Sequence, residues 1–226
     1  MPSRFKRLLA VTIGLGLFLM PAMVSASNQP QLNQTINAGT LSTDIYQSDD
    51  TTPVASPSVA FGAKNVGFTC QTSTSTLGDA NNKLNVTNLD TGNSHSGWTL
   101  TMAPAATTAS WTSGSNHYDF NDGSASCGAD GADADSYGGQ LTVNASTGAT
   151  LTQDCNGGSC TGSGASKGSD NQKFVEGTAD SATLMTDSNY TPWEGYLTGV
   201  GLSQTIPSSQ TNGSYSLTMV ITVTAN

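Results

Sequence analysis

The last part of the chain alternates apolar and polar residues at every second position, and this period of two is the strongest constraint on the fold. The apolar positions are Tyr215, Leu217, Met219, Ile221 and Val223, and mostly Ser and Thr stand between them. Successive side chains of a β-strand point to opposite faces. The pattern therefore predicts a strand whose odd-numbered face lies on a hydrophobic core.

The same alternation recurs upstream, whereas no segment sustains the i, i+3, i+4, i+7 pattern of an amphipathic helix. It is clearest in residues 98–102, and shorter versions occur at residues 84–86, 141–143 and 182–184. Strands of this length, separated by Gly, Asn, Ser and Pro, are typical of antiparallel sheets packed face to face. We therefore predict an all-β fold, an antiparallel β-sandwich.

Two long segments rich in Gly, Ser, Asp and Asn separate the predicted strands, at residues 110–139 and 154–173. We interpret both segments as long loops. At 226 residues the chain has the length of one domain. We predict a single sandwich domain over residues 36–226, with an edge strand within residues 36–46.

The first 26 residues have the features of a secretory signal peptide. The basic residues Arg4, Lys6 and Arg7 precede an apolar run at residues 8–20. Val24-Ser25-Ala26 then supplies a small-residue cleavage site. An apolar run of 13 residues is short of the roughly 20 that a membrane-spanning helix needs. We expect export, cleavage near Ser27, a flexible tail at residues 27–35, and no transmembrane anchor after cleavage.

The expected exported chain is acidic and carries few charges. Residues 27–226 hold four Lys, no Arg and 16 Asp and Glu, which gives a net charge of −12. Because the chain has 32 Thr and 29 Ser, hydroxyls supply much of its polar surface. Negative surfaces repel nucleic acid and anionic lipid, so we expect neither as a partner.

Four cysteines in an exported chain predict two disulfides. Of the three possible pairings, the spacing favours Cys155 with Cys160 and Cys70 with Cys127. Only four residues separate the first pair, so a tight turn brings its Cα atoms within the roughly 7 Å that a disulfide requires. A zinc site is not expected, because no CxxC pair occurs and the two histidines have no ligand spacing relative to the cysteines.

One acidic segment of 17 residues contains five carboxylates, which makes it the most concentrated group of candidate functional side chains in the sequence. They are Asp119, Asp122, Asp130, Asp133 and Asp135. Oxygen ligands on a Gly-rich loop suit a hard cation, so a calcium site is one interpretation of this segment, although an EF-hand spacing is absent. The alternative is a solvated acidic loop without metal.

We expect no enzymatic activity. The sequence has no G-x-S-x-G element and no Walker or dinucleotide-binding glycine motif, and neither histidine lies in a catalytic pattern. One aromatic cluster, formed by Tyr190, Trp193 and Tyr196, is a candidate for stacking on a sugar ring. A carbohydrate-binding module is therefore one interpretation, and a core or strand-corner role for these rings is the other.

Three stretches resemble the signatures of the WxL-domain family, surface proteins of Gram-positive bacteria. Residues 84–102, ending in Gly97-Trp98-Thr-Leu100-Thr-Met102, are similar to the first WxL signature, and Phe61-Gly62 is similar to the segment before it. Ile206-Pro207 and residues 212–223 are similar to the closing motif, but Ile221-Thr-Val223 stands where the family has a second Trp-x-Leu.

Membership of this family implies a secreted β-sandwich held non-covalently on the cell wall. Peptidoglycan would be its ligand, and other surface proteins its partners. By the resemblance, the wall-binding candidates are Trp98, Leu100, Tyr215, Ile221 and Val223. The alternative for Trp98 and Leu100 is a core role, which their alternation with Thr99 and Thr101 favours.

The same ending and Phe61-Gly62 also resemble fimbrial and spore-coat-U-like subunits. That resemblance implies a structural subunit that self-associates, in which a strand of one subunit completes a sheet of the next. The two resemblances agree on a non-enzymatic cell-surface β-sandwich. They differ in the partner, which is a wall polymer in one case and another subunit in the other.

Overall fold

The computed structural model describes Gln34, Ala179 and residues 39–89, 96–106, 108–122, 137–155, 164–175, 181–189 and 192–226. Its secondary structure in these ranges consists of β-strands. They are β1 (Leu41–Tyr46), β2 (Gln71–Leu77), β3 (Lys83–Asn88), β4 (Trp98–Pro104), β5 (Trp111–Ser113), β6 (Asn116–Tyr118), β7 (Gln140–Asn144), β8 (Thr150–Gln153), β9 (Ser166–Lys167), β10 (Gln172–Lys173), β11 (Ala182–Asp187), β12 (Trp193–Thr198), β13 (Val200–Ile206) and β14 (Met219–Ala225). Within the described ranges, no helix has the length and apolar character needed to cross a membrane.

These strands pair antiparallel in three four-stranded sheets and one hairpin. Sheet A has the order β1-β3-β12-β8, sheet B the order β10-β7-β13-β2, and sheet C the order β14-β4-β11-β9. The hairpin consists of β5 and β6. The predicted all-β antiparallel sandwich is confirmed.

Sheets A and B are two arms of one bent sheet, because three strands run from one arm into the other. Gly199 alone separates β12 from β13, while residues 78–82 connect β2 to β3 and residues 145–149 connect β7 to β8. Gly78, Gly148 and Gly199 have φ angles of +82°, +80° and +79° at this bend. The Gly199 N–H donates to the Gly78 carbonyl at 2.9 Å, so the glycines lie side by side across the sheet.

Sheet C packs against the bent sheet through two tryptophans. The ring centroids of Trp98 on β4 and Trp193 on β12 are 5.2 Å apart, and both rings are buried. A single hydrophobic cluster surrounds this contact. Its most completely buried aliphatic members include Leu84, Val86, Leu100, Val143, Leu184, Leu197 and Val200.

The alternating segments form strands as predicted. Residues 84–86, 98–102, 141–143 and 182–184 lie in β3, β4, β7 and β11. The ladder of the last strand begins at Met219, and its half-buried residues Met219, Ile221 and Val223 pack against the core. From the predicted edge strand, Leu41–Tyr46 forms β1 at the edge of sheet A.

The interpretation of residues 110–139 and 154–173 as loops is wrong in part. The first segment contains the hairpin β5–β6, and the second contains β9 and β10. These strands have only two or three residues each, so they are too short to display a period in the sequence. Pairing with β11 and β7 defines β9 and β10. The two-residue turn Gly114-Ser115 and the pairing across it define β5 and β6.

The strand β2 is polar and was not expected. Its inward-facing Ser73 and Ser75 donate hydrogen bonds of 2.6 Å to the carbonyl oxygens of Gly62 and Ala60. These bonds hold residues 57–67, which we call the strap, along the inner side of sheet B. Hydroxyls therefore occupy positions where an ordinary core strand would present aliphatic side chains.

Several predictions about covalent and processing features fall outside the described residues. The expected signal peptide, residues 1–26, lies outside the described residues. The described residues within Asn37–Asn226 belong to one compact unit. Cys70 and Cys155 are not free thiols. Their predicted partners, Cys127 and Cys160, are not described, so the pairing stays a prediction.

The bend predicts that Gly199→Ala is more destabilising than Gly114→Ala. A Cβ on Gly199 would lie 2.6 Å from the Gly148 carbonyl oxygen, whereas a Cβ on Gly114 would meet nothing within 4 Å. Both residues have positive φ, so Gly114→Ala reports the backbone strain alone. We expect losses in unfolding free energy of about 3 kcal/mol for Gly199→Ala and about 1 kcal/mol for Gly114→Ala, measured by denaturant titration. Equal losses would contradict a tight bend.

Two aspartates whose carboxylates accept hydrogen bonds in turns, Asp49 and Asp170, predict that the folded protein is less stable in acid. Hydrogen bonds from the Thr52 hydroxyl and the Thr52 and Thr51 N–H groups lower the pKa of Asp49 from 3.8 to about 2. The Thr147 hydroxyl, followed by the Thr147 and Ser146 N–H groups, likewise lowers the pKa of Asp170. Because a lowered pKa means that folding favours the ionised form, this stabilisation is complete above the ordinary pKa and is lost as the pH falls through the folded value.

We therefore expect the melting temperature to fall as the pH drops from about 4 to about 2. Asp170→Asn should have a lower melting temperature at pH 7 and a smaller further fall in acid, since this group no longer titrates. An unchanged acid-dependent fall in the variant would show that Asp170 makes no contribution.

Candidate functional site

An open pocket of about 610 Å³ lies where the strap meets β2, β13, the β5–β6 hairpin and the segment before β14. Four rings, Phe61, Trp111, Tyr118 and Tyr215, contribute to its lining. We call it the aromatic pocket. Its residues come from segments that are far apart in the chain, so the tertiary fold alone assembles it.

The four rings form a chain of contacts. Trp111 and Tyr118 are directly opposed in the β5–β6 hairpin and stack with an interplanar angle of 7° and centroids 5.7 Å apart. Phe61 meets Trp111 edge-on at 5.4 Å, and Tyr215 meets Tyr118 edge-on at 5.0 Å. Such geometries are the favoured ones for aromatic pairs, so each ring limits the movement of the next.

Two glutamines fix the orientation of the rings. The Trp111 Nε1–H donates to Gln204 Oε1 at 2.9 Å, and Gln204 Nε2 donates to the Asp119 carbonyl at 2.9 Å. Gln210 Nε2 donates to the Tyr215 hydroxyl at 2.8 Å, and that hydroxyl donates to the Thr211 carbonyl at 2.7 Å. The pocket is therefore organised before any ligand binds.

Burial raises the pKa of Tyr118, and the neighbouring Tyr215 raises it further. Tyr118 is therefore a neutral phenol at physiological pH. The cause is chiefly the loss of water around a mostly buried ring.

Amide and hydroxyl side chains supply most of the remaining polar lining. They are Asn65, Gln71, Ser73, Gln204, Gln210, Thr211 and Asn212. Among the described residues that line the pocket, Lys64 carries the only charge, and Asp, Glu, His and Cys do not occur. This arrangement is suited to hydrogen bonding and stacking, and its lining contains no acid–base pair among those residues.

The wall-binding candidates lie in different environments. Trp98 and Leu100 are fully buried in the core, so in the folded protein neither side chain is exposed to a ligand. Their alternative core role agrees with this position. Tyr215 lines the aromatic pocket, whereas Ile221 and Val223 lie half-buried on the edge strand β14.

Of the predicted sugar-stacking cluster, the two described rings, Trp193 and Tyr196, do not share one face. Trp193 is only 3% exposed and packs on Trp98. Tyr196 lies three residues further along β12, on the opposite face, where the Lys83 ammonium is 4.4 Å from its ring centroid. Side chains three positions apart in a strand point in opposite directions, which explains the separation. Tyr190 lies outside the described residues.

Only part of the predicted calcium site is described. Asp119 and Asp122 are both buried, with exposures of 5% and 4%. Asp130, Asp133 and Asp135 lie outside the described residues. In the described ranges, no group of three or more His, Cys, Asp or Glu is arranged to hold a metal ion. The calcium site stays a prediction.

Sequence reasoning missed three of the four rings in the aromatic pocket. Trp111 and Tyr118 lie in a segment whose composition predicts a loop, and the sequence relates Phe61 only to a family motif. The Gly114-Ser115 dipeptide between two short runs was a usable signal, since Gly-Ser is typical of a two-residue hairpin turn. Recognising that hairpin would have paired Trp111 with Tyr118.

No protein-family model, curated protein or solved structure matches the chain. The resemblances to WxL-domain proteins and to fimbrial or spore-coat-U-like subunits therefore remain predictions.

The acidic segment predicts a specific response to calcium. A cation that binds only the folded protein stabilises it by RT ln(1 + [L]/Kd), about 2.7 kcal/mol at 100 times Kd. We expect millimolar calcium to raise the melting temperature by several degrees, and Asp133→Asn combined with Asp135→Asn to remove the response. Sodium chloride at matched ionic strength is the control. If it gives the same rise, the effect is charge screening and the site does not exist.

Proposed function

We propose that this chain is a secreted, non-enzymatic surface protein that binds a cell-wall glycan in the aromatic pocket. The observation that carries the proposal is the pocket itself, in which ordered rings are surrounded by amides and hydroxyls. The signal-peptide features of residues 1–26 support export.

A sugar ring matches this lining chemically. The C–H faces of a pyranose are apolar and pack on aromatic rings, while its hydroxyls exchange hydrogen bonds with amide and hydroxyl groups. The hydrogen bonds at Trp111 and Tyr215 hold these rings in place before binding. Less conformational entropy is then lost when a glycan is bound.

An exposed ring beside the pocket extends this surface. Phe68 is 97% exposed and follows Gly67, which lines the pocket. Val66, also in the lining, is 62% exposed. Exposed apolar groups next to a concave site are typical of interaction surfaces, and here they offer a polymer contacts beyond the pocket.

This proposal keeps the wall-binding function that the family resemblance implies, but it assigns that function to the aromatic pocket and not to Trp98 and Leu100. Of the motif residues, Tyr215 lies in the pocket, whereas the burial of Trp98 and Leu100 supports a structural role for them. Peptidoglycan as the ligand and other surface proteins as partners follow from the resemblance and belong to the proposal.

A structural subunit of a surface polymer is the second candidate. The observation that favours it is the edge strand β14, whose Val220 is 45% exposed. A groove of about 620 Å³, lined by apolar residues such as Ile45, Met102 and Ile221, lies beside β14. An open strand edge is a template for pairing with a second copy.

Sedimentation with purified cell-wall sacculi tests the proposed function. We expect the protein to sediment with the wall material and to leave it uncleaved. Trp111→Ala should weaken binding at least about tenfold, because truncating a central aromatic contact costs about 1.4 kcal/mol or more. Phe68→Ala should weaken it less and leave the melting temperature unchanged, since that ring is exposed.

Tyr196→Ala is the matched control, because this ring belongs to the other predicted stacking cluster and lies outside the pocket lining. We expect it to bind as the wild type does. Protein that stays entirely in the supernatant would refute wall binding. Analytical ultracentrifugation of the protein alone, showing filaments instead of monomer, would favour the structural subunit.

A further inference from the structure

We infer that the glycan bound in the aromatic pocket is anionic, with a carboxylate or phosphate group placed against Lys64. This inference rests on the proposed function and names the class of its ligand. The chain from residue 27 onward has only four cationic side chains against 16 acidic ones.

Two of the four lysines serve the fold. Lys83 forms an ion pair with Asp50, at 2.7 Å between Nζ and Oδ1. Lys167 donates from Nζ to the carbonyl oxygens of Ser146 and Ala149, at 2.7 and 2.8 Å. Both are tied to internal partners and are not available to a ligand.

The other two lysines are exposed, and one of them lies at the pocket. Lys64 is part of the lining, whereas Lys173 lies on the edge strand β10 and does not contribute to it. Across the described residues, the single salt bridge is that of Lys83, so Lys64 has no carboxylate partner there. Its ammonium is therefore available to a bound anion.

The backbone around Lys64 is held on both sides. Ser73 Oγ donates to the Gly62 carbonyl and Gln71 Nε2 donates to the Asn65 carbonyl, each at 2.6 Å. These bonds fix the part of the strap that carries Lys64 over the inner side of sheet B. The lysine is presented at the pocket by a fixed stretch of backbone, so its long side chain has a defined starting point.

The negative net charge of the chain does not prevent this selectivity. At an ionic strength of 0.1 M, charges more than about 10 Å apart are largely screened, so the local lining decides which ligand is favoured. That lining contains Lys64 and, among its described residues, no carboxylate. A charged hydrogen bond to an anionic group is about twice as strong as a neutral one, which favours an anionic glycan over a neutral glycan of the same size.

Binding to three immobilised polymers tests the inference: polygalacturonate, which carries carboxylates, poly(glycerol phosphate), and neutral mannan. We expect the wild type to bind at least one anionic polymer about tenfold more tightly than mannan at an ionic strength of about 0.1 M, where the net charge of the chain is largely screened. Lys64→Gln should lose most of that preference and keep its affinity for mannan. Lys173→Gln is the matched control, since it removes the same charge outside the pocket, and it should bind as the wild type does.

The outcomes separate this inference from the proposed function. If Lys64→Gln binds the anionic polymers as tightly as the wild type, or if Lys173→Gln loses as much, the inference is wrong. If the wild type binds mannan more tightly than the anionic polymers, and Trp111→Ala abolishes mannan binding, the pocket binds glycan but not through an anionic group. If the wild type binds none of the three polymers or sacculi, both the proposed function and the inference fail.

Discussion

Three glycines with positive φ meet where the long sheet bends, and the positions of the other elements follow from that bend. The Gly199 N–H donates to the Gly78 carbonyl, and Gly148 lies so close that a Cβ on Gly199 would collide with its carbonyl oxygen. Only glycine combines this φ with such an approach at low cost. The bend turns sheet B away from sheet A, so the two arms enclose one core together with sheet C. It also sets the positions of β2 and β13, which line the aromatic pocket.

Polar side chains perform much of the positioning that aliphatic packing performs in other sandwiches. Ser73 and Ser75 hold the strap by hydrogen bonds to its carbonyls, and Gln204, only 1% exposed, connects Trp111 to the backbone at Asp119. Buried polar groups stabilise a structure only when they are paired, and these pairs are directional. A chain rich in Ser and Thr can therefore build an ordered pocket with few charges.

The aromatic residues divide into a structural set and an exposed set. Trp98 and Trp193 join sheet C to sheet A in the interior, whereas Phe61, Trp111 and Tyr215 are partly exposed at the pocket. A motif that looks like a binding signature in the sequence can thus serve the core, because a strand buries one face whatever its motif. The contribution of Trp98 to any wall binding is then to hold the fold that carries the pocket.

The sequence by itself determined the fold class and several strands, because a period of two is a local property that reports which residues face the core. Residues 84–86, 98–102, 141–143 and 182–184 all lie in strands for that reason. It did not determine β2 or the β5–β6 hairpin. Their positions depend on hydrogen bonds and ring contacts with distant residues, as Ser73 to Gly62 and Trp111 to Gln204 show.

Of the four rings of the aromatic pocket, the sequence analysis names only Tyr215 as a site candidate, through a family resemblance. Phe61, Trp111 and Tyr215 come from three separate parts of the chain, and no local pattern relates them. The bend and the strap bring them together, and the same contacts place Lys64 beside the rings. Tertiary structure alone decided this arrangement, because contacts between residues far apart in sequence depend on how the whole chain packs.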